Sequence, residues 1–396
     1  MRYKMRKLSV GIFNDSFPPI IDGVANTAVN YAKSIHKLYG RSVVATPWYP
    51  KVKDQYPFRV IRYSSANVSK RIGYRMGNPF SPLLIRRLQR EKLDIIHIHS
   101  PFTSALLARV LRRYTGSPIV FTYHTKFDVD IEKRIALNPL RTVSIRFLMN
   151  NINACDEVWV VSEGAGENLR HLGYKGEYIT MENGTDFVKG RASEDAIASL
   201  NAELKIEKDE MVFLFVGRMM WYKNIKFIID GLYEAKQKGA SFKMLFVGEG
   251  VDRPEIMAYV DRLGLKDTCV FTGAIHDREL LRSYFSRANL FLFPSTYDTN
   301  GIVVREAAAC SCPALLINGS CASEGIVDDD TGILIPHEES ALAREVIKSL
   351  EDPTRLVRIG QNASDKIYLS WDDAVGKAVS RYQEILDEQA FRKKNA

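Results

Sequence analysis

Short apolar runs rich in β-branched and aromatic residues recur along the chain. They are "KLSVGIF" at 7–13, "SVVATP" at 42–47, "LDIIHIH" at 93–99, "PIVFTYH" at 118–124 and "EVWVVS" at 157–162. Helix-spaced segments lie between them, such as "VANTAVNYAKSIHKLYG" at 24–40, which ends at a glycine as helices often do. The alternation restarts near 210 with "MVFLFVG", "KMLFVG", "CVFTG", "LFLFPS", "PALLIN" and "GILIP". Near-continuous apolar strands separated by helices predict parallel sheets covered on both faces. Two such series predict an α/β protein of two doubly wound domains. The polar, strandless stretch at 187–210 reads as a linker with a short helix.

Composition changes this picture little. A chain of 396 residues that is 46% hydrophobic and 26% charged is long enough for two globular domains. The start has a basic lead, but its apolar run "LSVGIF" is too short for a signal-peptide core and reads as a buried strand. No run approaches the length of a membrane helix, so a cytoplasmic location is expected. The five cysteines make no disulfide framework, and Cys310, Cys312 and Cys321 have no fourth ligand at zinc-type spacing.

Charge changes it more. Residues 1–190 hold 29 Lys/Arg against 15 Asp/Glu, and the rest holds 26 against 32. One half is therefore suited to an anionic partner, and charge alone admits either nucleic acid or a membrane surface.

Ligands of doubly wound sheets sit beyond the carboxyl ends of the strands, so the chemistry is sought in the loops that follow them. After the first strand, "NDSFPPIIDGVANTA" keeps an extended course at Pro18 and Pro19 and opens a helix at Asp22 or Gly23. Gly23 there admits close approach of an anion to backbone N–H groups, or serves as a plain turn. "GRMMWYKNI" sets Arg218 and Lys223 just past a strand, able to hold a diphosphate or to be ordinary surface charges. "FVGEG" at 246–250 is a second glycine-rich turn with room for a ligand. His124 stands immediately past a strand, whereas His97 and His99 share one sheet face and read as core or cleft-wall residues.

Two acidic clusters, Asp128 with Asp130 and the "DDD" at 328–330, look unsuited to a metal. The stretch "STYDTNGIVVREAAA" at 295–309 carries Asp298 on a loop and Glu306 within an otherwise apolar helix. Both can accept hydrogen bonds from hydroxyl pairs, and a semi-buried Glu306 requires a partner. The turn between them, Asn300-Gly301-Ile302, exposes N–H groups at a helix start.

In their order, "FPPIIDGVANT", "LDIIHIHSPF", "YHTKF", "ITMENGTDF", "FVGRMMWYKNI", "MLFVGEG", "VFTGAI" and "FPSTYDTNGIVVREAAA" resemble the retaining glycosyltransferases of family 4 over nearly the whole chain. The resemblance implies the GT-B fold, two Rossmann-like domains facing across a cleft. The expected divisions are an acceptor domain at 1–188, a donor domain at 189–371 and a C-terminal helix at 372–396 crossing back to the first. It also implies roles. The N–H of Gly23 approaches the donor phosphate, Arg218 and Lys223 bind the diphosphate, His124 touches the sugar and Glu306 holds the ribose hydroxyls. Asn300, Gly301 and Ile302 complete the donor loop. Asp298 takes the first position of the family's Glu, seven residues, Glu motif. Asp stands there for Glu and Asn300 for the usual Phe, which leaves the sugar's identity open.

The implied reaction moves a hexose, expected to be glucose from a UDP-sugar, with retention, no metal and no other cofactor. "NPFSPLLIRRLQREKL" at 78–93 mixes Phe80, Leu83, Leu84 and Leu88 with Arg86, Arg87 and Arg90, and "SALLARVLRRY" repeats the mixture at Arg109, Arg112 and Arg113. A basic amphipathic helix can lie in an anionic membrane interface. The resemblance extends to bacterial enzymes that glycosylate diacylglycerol. The expected partners are thus a nucleotide sugar, a lipid acceptor and the inner membrane face, without nucleic acid. A soluble or polysaccharide acceptor, a sugar-nucleotide epimerase and a non-catalytic binder are the alternatives.

Overall fold

The computed structural model describes residues 6–20, 22–67, 75–127, 138–338 and 340–395. The chain divides into two compact units, Met1–Asn183 with Trp371–Ala396, and Gly184–Ser370.

Among the described residues, unit 1 is built on β1 (Leu8–Phe13), β2 (Gly40–Pro47), β3 (Arg59–Tyr63), a small antiparallel pair β4 (Ser65–Asn67) and β5 (Arg75–Gly77), then β6 (Ile95–Ile98), β7 (Ile119–Tyr123), β8 (Glu157–Val160) and β9 (Ile179–Thr180). The main sheet has the order β3-β2-β1-β6-β7-β8-β9, and every pairing in it is parallel. The chain first builds outward from β1 on one side and then returns through β6 on the other. The order therefore reverses between β1 and β6, the kind of crevice where doubly wound sheets place ligands. Gly40 is required where the first crossover enters β2. Its φ is +147°, and a Cβ there would lie 2.2 Å from the Leu8 carbonyl oxygen.

The C-terminal helix Trp371–Asn395 belongs to unit 1. Its buried residues Trp371, Ala374, Val375, Ala378, Val379, Tyr382 and Ile385 recur at helical spacing, one apolar stripe laid on the domain. Asp372 receives Ser34 Oγ at 2.7 Å and Lys37 Nζ at 2.9 Å, and Arg381 grips Glu157 at 2.8–3.0 Å.

Unit 2 holds β10 (Val212–Val216), β11 (Lys243–Val247), β12 (Cys269–Gly273), β13 (Leu290–Phe293), β14 (Ala314–Ile317) and β15 (Ile333–Ile335). Their order is β12-β11-β10-β13-β14-β15, again parallel throughout, with the reversal between β10 and β13. Val212 to Phe215, Leu245, Phe246 and Leu290 to Leu292 are wholly buried, as strands covered on both faces must be.

Two expectations move. The stretch 187–210 is not a linker. Phe187, Leu200 and Ile206 sit in the core of unit 2, and the helix Glu194–Leu204 packs on the helix Arg278–Arg287. The division expected after residue 188 falls at 183/184 instead, because Thr185 N bonds Leu369 O and Phe187 O accepts from the Tyr368 hydroxyl.

Candidate functional site

In unit 2 the loops after β10 and β13 leave neighbouring strands at the same sheet edge, so their side chains meet. Asn224 ties them together, its amide donating to Pro294 O at 2.8 Å. Lys223, 6% exposed, points its ammonium at both oxygens of Asp298, at 2.6 and 2.7 Å. The same ammonium stands 5.6 and 5.7 Å from the ring centres of Tyr222 and Tyr297, which contact each other at 4.7 Å. Arg218 is exposed, with its guanidinium 5.9 Å from the Tyr222 ring. Lys223, read from sequence as a diphosphate ligand, is thus also the counter-ion of Asp298. A cation so held is oriented before a phosphate arrives, but it is shared with a carboxylate.

Half-buried Asn300 precedes Gly301, whose φ of +62° explains the glycine. Ile302 begins the helix Ile302–Ala309, and the first N–H groups of any helix lack intrahelical partners. Deeper in that helix, Glu306 is 5% exposed. Its required partner is Arg278, at 2.6 Å, which also binds Asp186 and lies over the Phe187 ring at 4.2 Å. Burial pushes the Glu306 carboxyl above its ordinary range, and the Arg278 guanidinium opposes that shift. Arg278 and Asp186 escaped the sequence reading. The only signal was that a carboxylate in an apolar helix needs a cation, and nothing local names one 28 positions away.

The glycines of "FVGEG" have a different purpose from the one expected. A Cβ on Gly248 would lie 1.8 Å from Gly217 O, and one on Gly250 2.2 Å from Met219 O. The two loops run side by side, with Met219 N donating to Glu249 O at 3.0 Å. These glycines make room for the neighbouring backbone.

In unit 1, Gly23 opens the helix Gly23–Ser34, and Asp22 caps it by accepting from Ala25 N at 2.7 Å. Apart from its chain neighbours and its own helix backbone, no atom of a described residue lies within 4 Å of a Cβ built on Gly23. Packing within the protein therefore does not require the glycine. The preceding loop turns rather than running extended: Ile20 N bonds Phe17 O at 3.2 Å, and the Pro18–Pro19 bond is cis.

Across the β1/β6 reversal stands a cluster of histidines. His97 is wholly buried, with Nε2 at 2.7 Å from the Thr122 hydroxyl and Nδ1 at 2.6 Å from the Tyr382 hydroxyl. Half-buried His124 follows β7, and its Nε2 is 2.9 Å from Nδ1 of His99. Burial holds His97 and His99 well below the usual imidazole range and lowers His124 to about 3, so all three are neutral at physiological pH.

The helix Pro82–Gln89 buries Leu84, Ile85 and Leu88. Leu83, Arg86, Arg87 and, just beyond it, Arg90 fall at one helical stripe, all exposed, with Phe80 one turn before. None of the three arginines forms an ion pair with a described residue. The helix Thr103–Thr115 does not repeat this face. Arg109 donates to Asn151 at 2.7 Å and Arg112 pairs with Asp156 at 2.9 Å, which leaves Arg113 at the surface.

Asp128 and Asp130 lie outside the described residues. Asp329 and Asp330 are taken by Arg355, Arg358 and Lys366. Among the described residues, no three His, Cys, Asp or Glu side chains gather as a metal site would require, and none of the described helices is long and apolar enough to cross a membrane. The five cysteines are unpaired, and burial pushes the Cys310 thiol up to about 12.

Comparison with known proteins adds the following. Residues 21–188 match the family model described as Glycosyltransferase Family 4, and residues 197–366 match that of Glycosyl transferases group 1. The chain is 24% identical over 367 residues to the alpha-monoglucosyldiacylglycerol synthase of Acholeplasma laidlawii, covering 90% of this chain and 92% of that protein. It is 24% identical over 385 residues to the protein of the same name from Streptococcus pneumoniae, covering 95% and 85%. Among solved structures, Anabaena HepE in complex with UDP superposes with a TM-score of 0.76 at 19% identity, covering 96% of this chain and all of that one.

Proposed function

Because this chain belongs to the family 4 glycosyltransferases, with the two Rossmann-like units of the GT-B fold, and is a hexosyltransferase using a sugar-nucleotide donor, we propose that it moves glucose from UDP-glucose to a membrane lipid of the diacylglycerol class, with retention. The lipid acceptor is carried by one observation: Phe80, 63% exposed, and Leu83, 77% exposed, lie on the same surface as Arg86, Arg87 and Arg90. Apolar groups can enter an interface there while the arginines meet anionic headgroups. The names of the two synthases above and the UDP held by HepE support the same reading. The protein then works as a peripheral enzyme on an anionic, cytoplasmic membrane face.

In this reading Glu306 accepts from the ribose hydroxyls, and Asp298 reads hydroxyls of the transferred sugar. Arg218, Lys223 and the N–H groups at Asn300, Gly301 and Ile302 face the diphosphate, joined by the N–H of Gly23. His124 contacts the sugar. The bond from the anomeric carbon to the β-phosphate oxygen breaks, and UDP takes the electron pair. The acceptor oxygen bonds to the same face of that carbon, and its proton passes to the departing phosphate. Preorganised cations and N–H groups stabilise the charge that develops on UDP. No protein nucleophile and no resident cofactor enters this scheme.

Product analysis with UDP-glucose and a lipid extract tests it. A glucosylated diacylglycerol is expected. Free sugar with UDP but no glycolipid would instead mark an epimerase, and binding without turnover a sugar-nucleotide binder. Transfer only to a water-soluble acceptor would overturn the lipid assignment.

A further inference from the structure

Nothing in the scheme above uses Asp15, two positions past β1, yet its carboxylate is 9% exposed and fully engaged. Oδ2 accepts from the Ser100 hydroxyl at 2.7 Å. Oδ1 accepts from Ser104 N at 3.0 Å, from the Ser104 hydroxyl at 2.9 Å and from the Thr103 hydroxyl. These donors follow β6, at the start of the helix Thr103–Thr115. The first N–H groups of a helix lack intrahelical partners, and the residue before this helix, Phe102, has no capping side chain. Asp15 supplies the cap from the neighbouring strand. A Ser or Asp at position 102 would cap as well. Capping alone therefore does not explain why the carboxylate comes from the loop after β1.

The loop gives the reason. It joins two helices that cover opposite faces of one sheet. Leu107, Ala108 and Leu111 of the helix Thr103–Thr115 share a core with Phe13, Ile96 and Ile98. Tyr31 of the helix Gly23–Ser34 packs instead on His97, which points the other way because alternate residues of a strand face opposite sides. From Asp15 to the second helix, the described residues of the loop are pinned at short intervals. Asn14 Nδ2 donates to Ser16 O at 2.5 Å and to Val24 O at 3.4 Å. The Ser16 hydroxyl donates to Asp22 at 2.5 Å, and Asp22 accepts from Ala25 N at 2.7 Å.

We infer that Asp15 is a positioning residue for Gly23: it straps the loop that leads to Gly23 onto the helix Thr103–Thr115, so that the two helix starts hold one fixed spacing across the β1/β6 reversal. The consequence for turnover rests on the assignment of Gly23 to the donor phosphate. A helix start tied to both faces of the sheet keeps its N–H at a set distance from that phosphate. A displacement of about 1 Å there costs up to about 10²-fold in rate.

Hydrogen exchange of the full chain, read by mass spectrometry at 22–27 and 100–108, is the test, and it needs no substrate. In Asp15→Ala both segments should exchange faster, by roughly fivefold or more, while the strands of unit 2 stay protected. Asp15→Asn keeps an acceptor for Ser104 N and should restore both segments. Loosening confined to 100–108 would make Asp15 a helix cap only and overturn the proposal. Should Asp15→Ala not fold, Ser100→Ala with Thr103→Val removes two of the donors from the far side. The proposal then requires faster exchange at 22–27, where the sequence is unchanged.

Turnover is a second arm. In folded Asp15→Ala, kcat with UDP-glucose should fall, and Asp15→Asn should recover it. Added to Gly23→Ala, Asp15→Ala should cost little more, because both act through one N–H. Losses that multiply would overturn the link to Gly23. Exchange without substrate is independent of product analysis, so failure of the strap is distinguishable from failure of the transferase reading.

Discussion

The two units share a topology and place their polar clusters at the same topological point, yet they hold them differently: by hydroxyls and imidazoles in unit 1, by ion pairs in unit 2. At the β1/β6 reversal of unit 1 the buried groups are three histidines, with Tyr31 and Tyr382 around them, and the Asp15 carboxyl, which is held by the hydroxyls of Ser100, Thr103 and Ser104 rather than by a cation. At the β10/β13 reversal of unit 2 they are ionic: Lys223 with Asp298, and Arg278 with Glu306 and Asp186. Neutral partners fix direction, because each N–H points one way. An ionic site supplies field strength, and it must hold its charges against one another until a ligand arrives. Substitutions in unit 2 should therefore be costly and dependent on pH and coupling, and those in unit 1 should act on turnover with little change in stability.

The largest effect is expected at Arg278. Arg278→Leu leaves Glu306 buried without its cation. The penalty for breaking a buried pair is about 3–5 kcal/mol, and the low end applies here because Arg278 is 39% exposed. The sign is definite. The Glu306 carboxyl is already raised above its usual 4.5 by burial, and removing Arg278 raises it further. The protonated form is the one the variant tolerates. Its stability should recover as pH falls through that raised value, while affinity for UDP declines across the same window as the carboxylate is lost. Calorimetric titrations over a pH series check this, and a flat affinity would detach Glu306 from the ribose.

Next come the cations proposed to hold the diphosphate. Arg218→Ala and Lys223→Ala should each lower turnover by roughly 10²- to 10³-fold, with a smaller effect on melting temperature. Because Lys223 pairs with Asp298, the double variant of these two should lose less than the sum of the singles. Asp298→Ala alone should keep or tighten UDP binding, since a competing anion is gone, and suppress transfer. Additive losses would mean that the pair in the free protein has no bearing on the bound state.

A third test concerns the surface of unit 1. Reversing Arg86, Arg87 and Arg90 to Glu should remove about 3 kcal/mol of attraction to anionic vesicles at low salt, at roughly 1 kcal/mol per residue. Glucosylation of a water-soluble acceptor mimic should survive. Wild-type protein that ignores such vesicles in a sedimentation assay would remove the membrane from the account.

The smallest structural change is the most selective. Gly23→Ala meets no atom of a described residue within 4 Å beyond its chain neighbours and its own helix backbone, and it sits in a helix, where Ala is favoured over Gly by up to about 1 kcal/mol. Melting temperature should hold or rise while turnover drops. Full turnover would show that nothing approaches Gly23.

Much of this was legible in the amino-acid order. The apolar runs name β1, β2, β6, β7, β8 and all six strands of the second sheet, because a strand covered on two faces has to be apolar along its length, whereas the edge strands β3 and β9 carried no such run and were missed. The loops after those runs name Gly23, His124, Arg218, Lys223, Asp298 and Glu306, because strand ends are where such sheets hold ligands. Glu306 even announces its need for a cation. Tertiary structure decided what each of these groups faces. It paired Lys223 with Asp298, 75 positions apart, and Glu306 with Arg278. It turned the glycines of "FVGEG" into clearance for a neighbouring loop, and brought Tyr382 to His97 across 285 positions. It also paired Arg109 with Asn151 and Arg112 with Asp156, while leaving Arg86, Arg87 and Arg90 exposed. The physical reason is one of range. Burial and periodicity act residue by residue and leave their mark in local order. A hydrogen bond or ion pair needs two atoms within about 3 Å, and only the packed sheets bring such distant positions together.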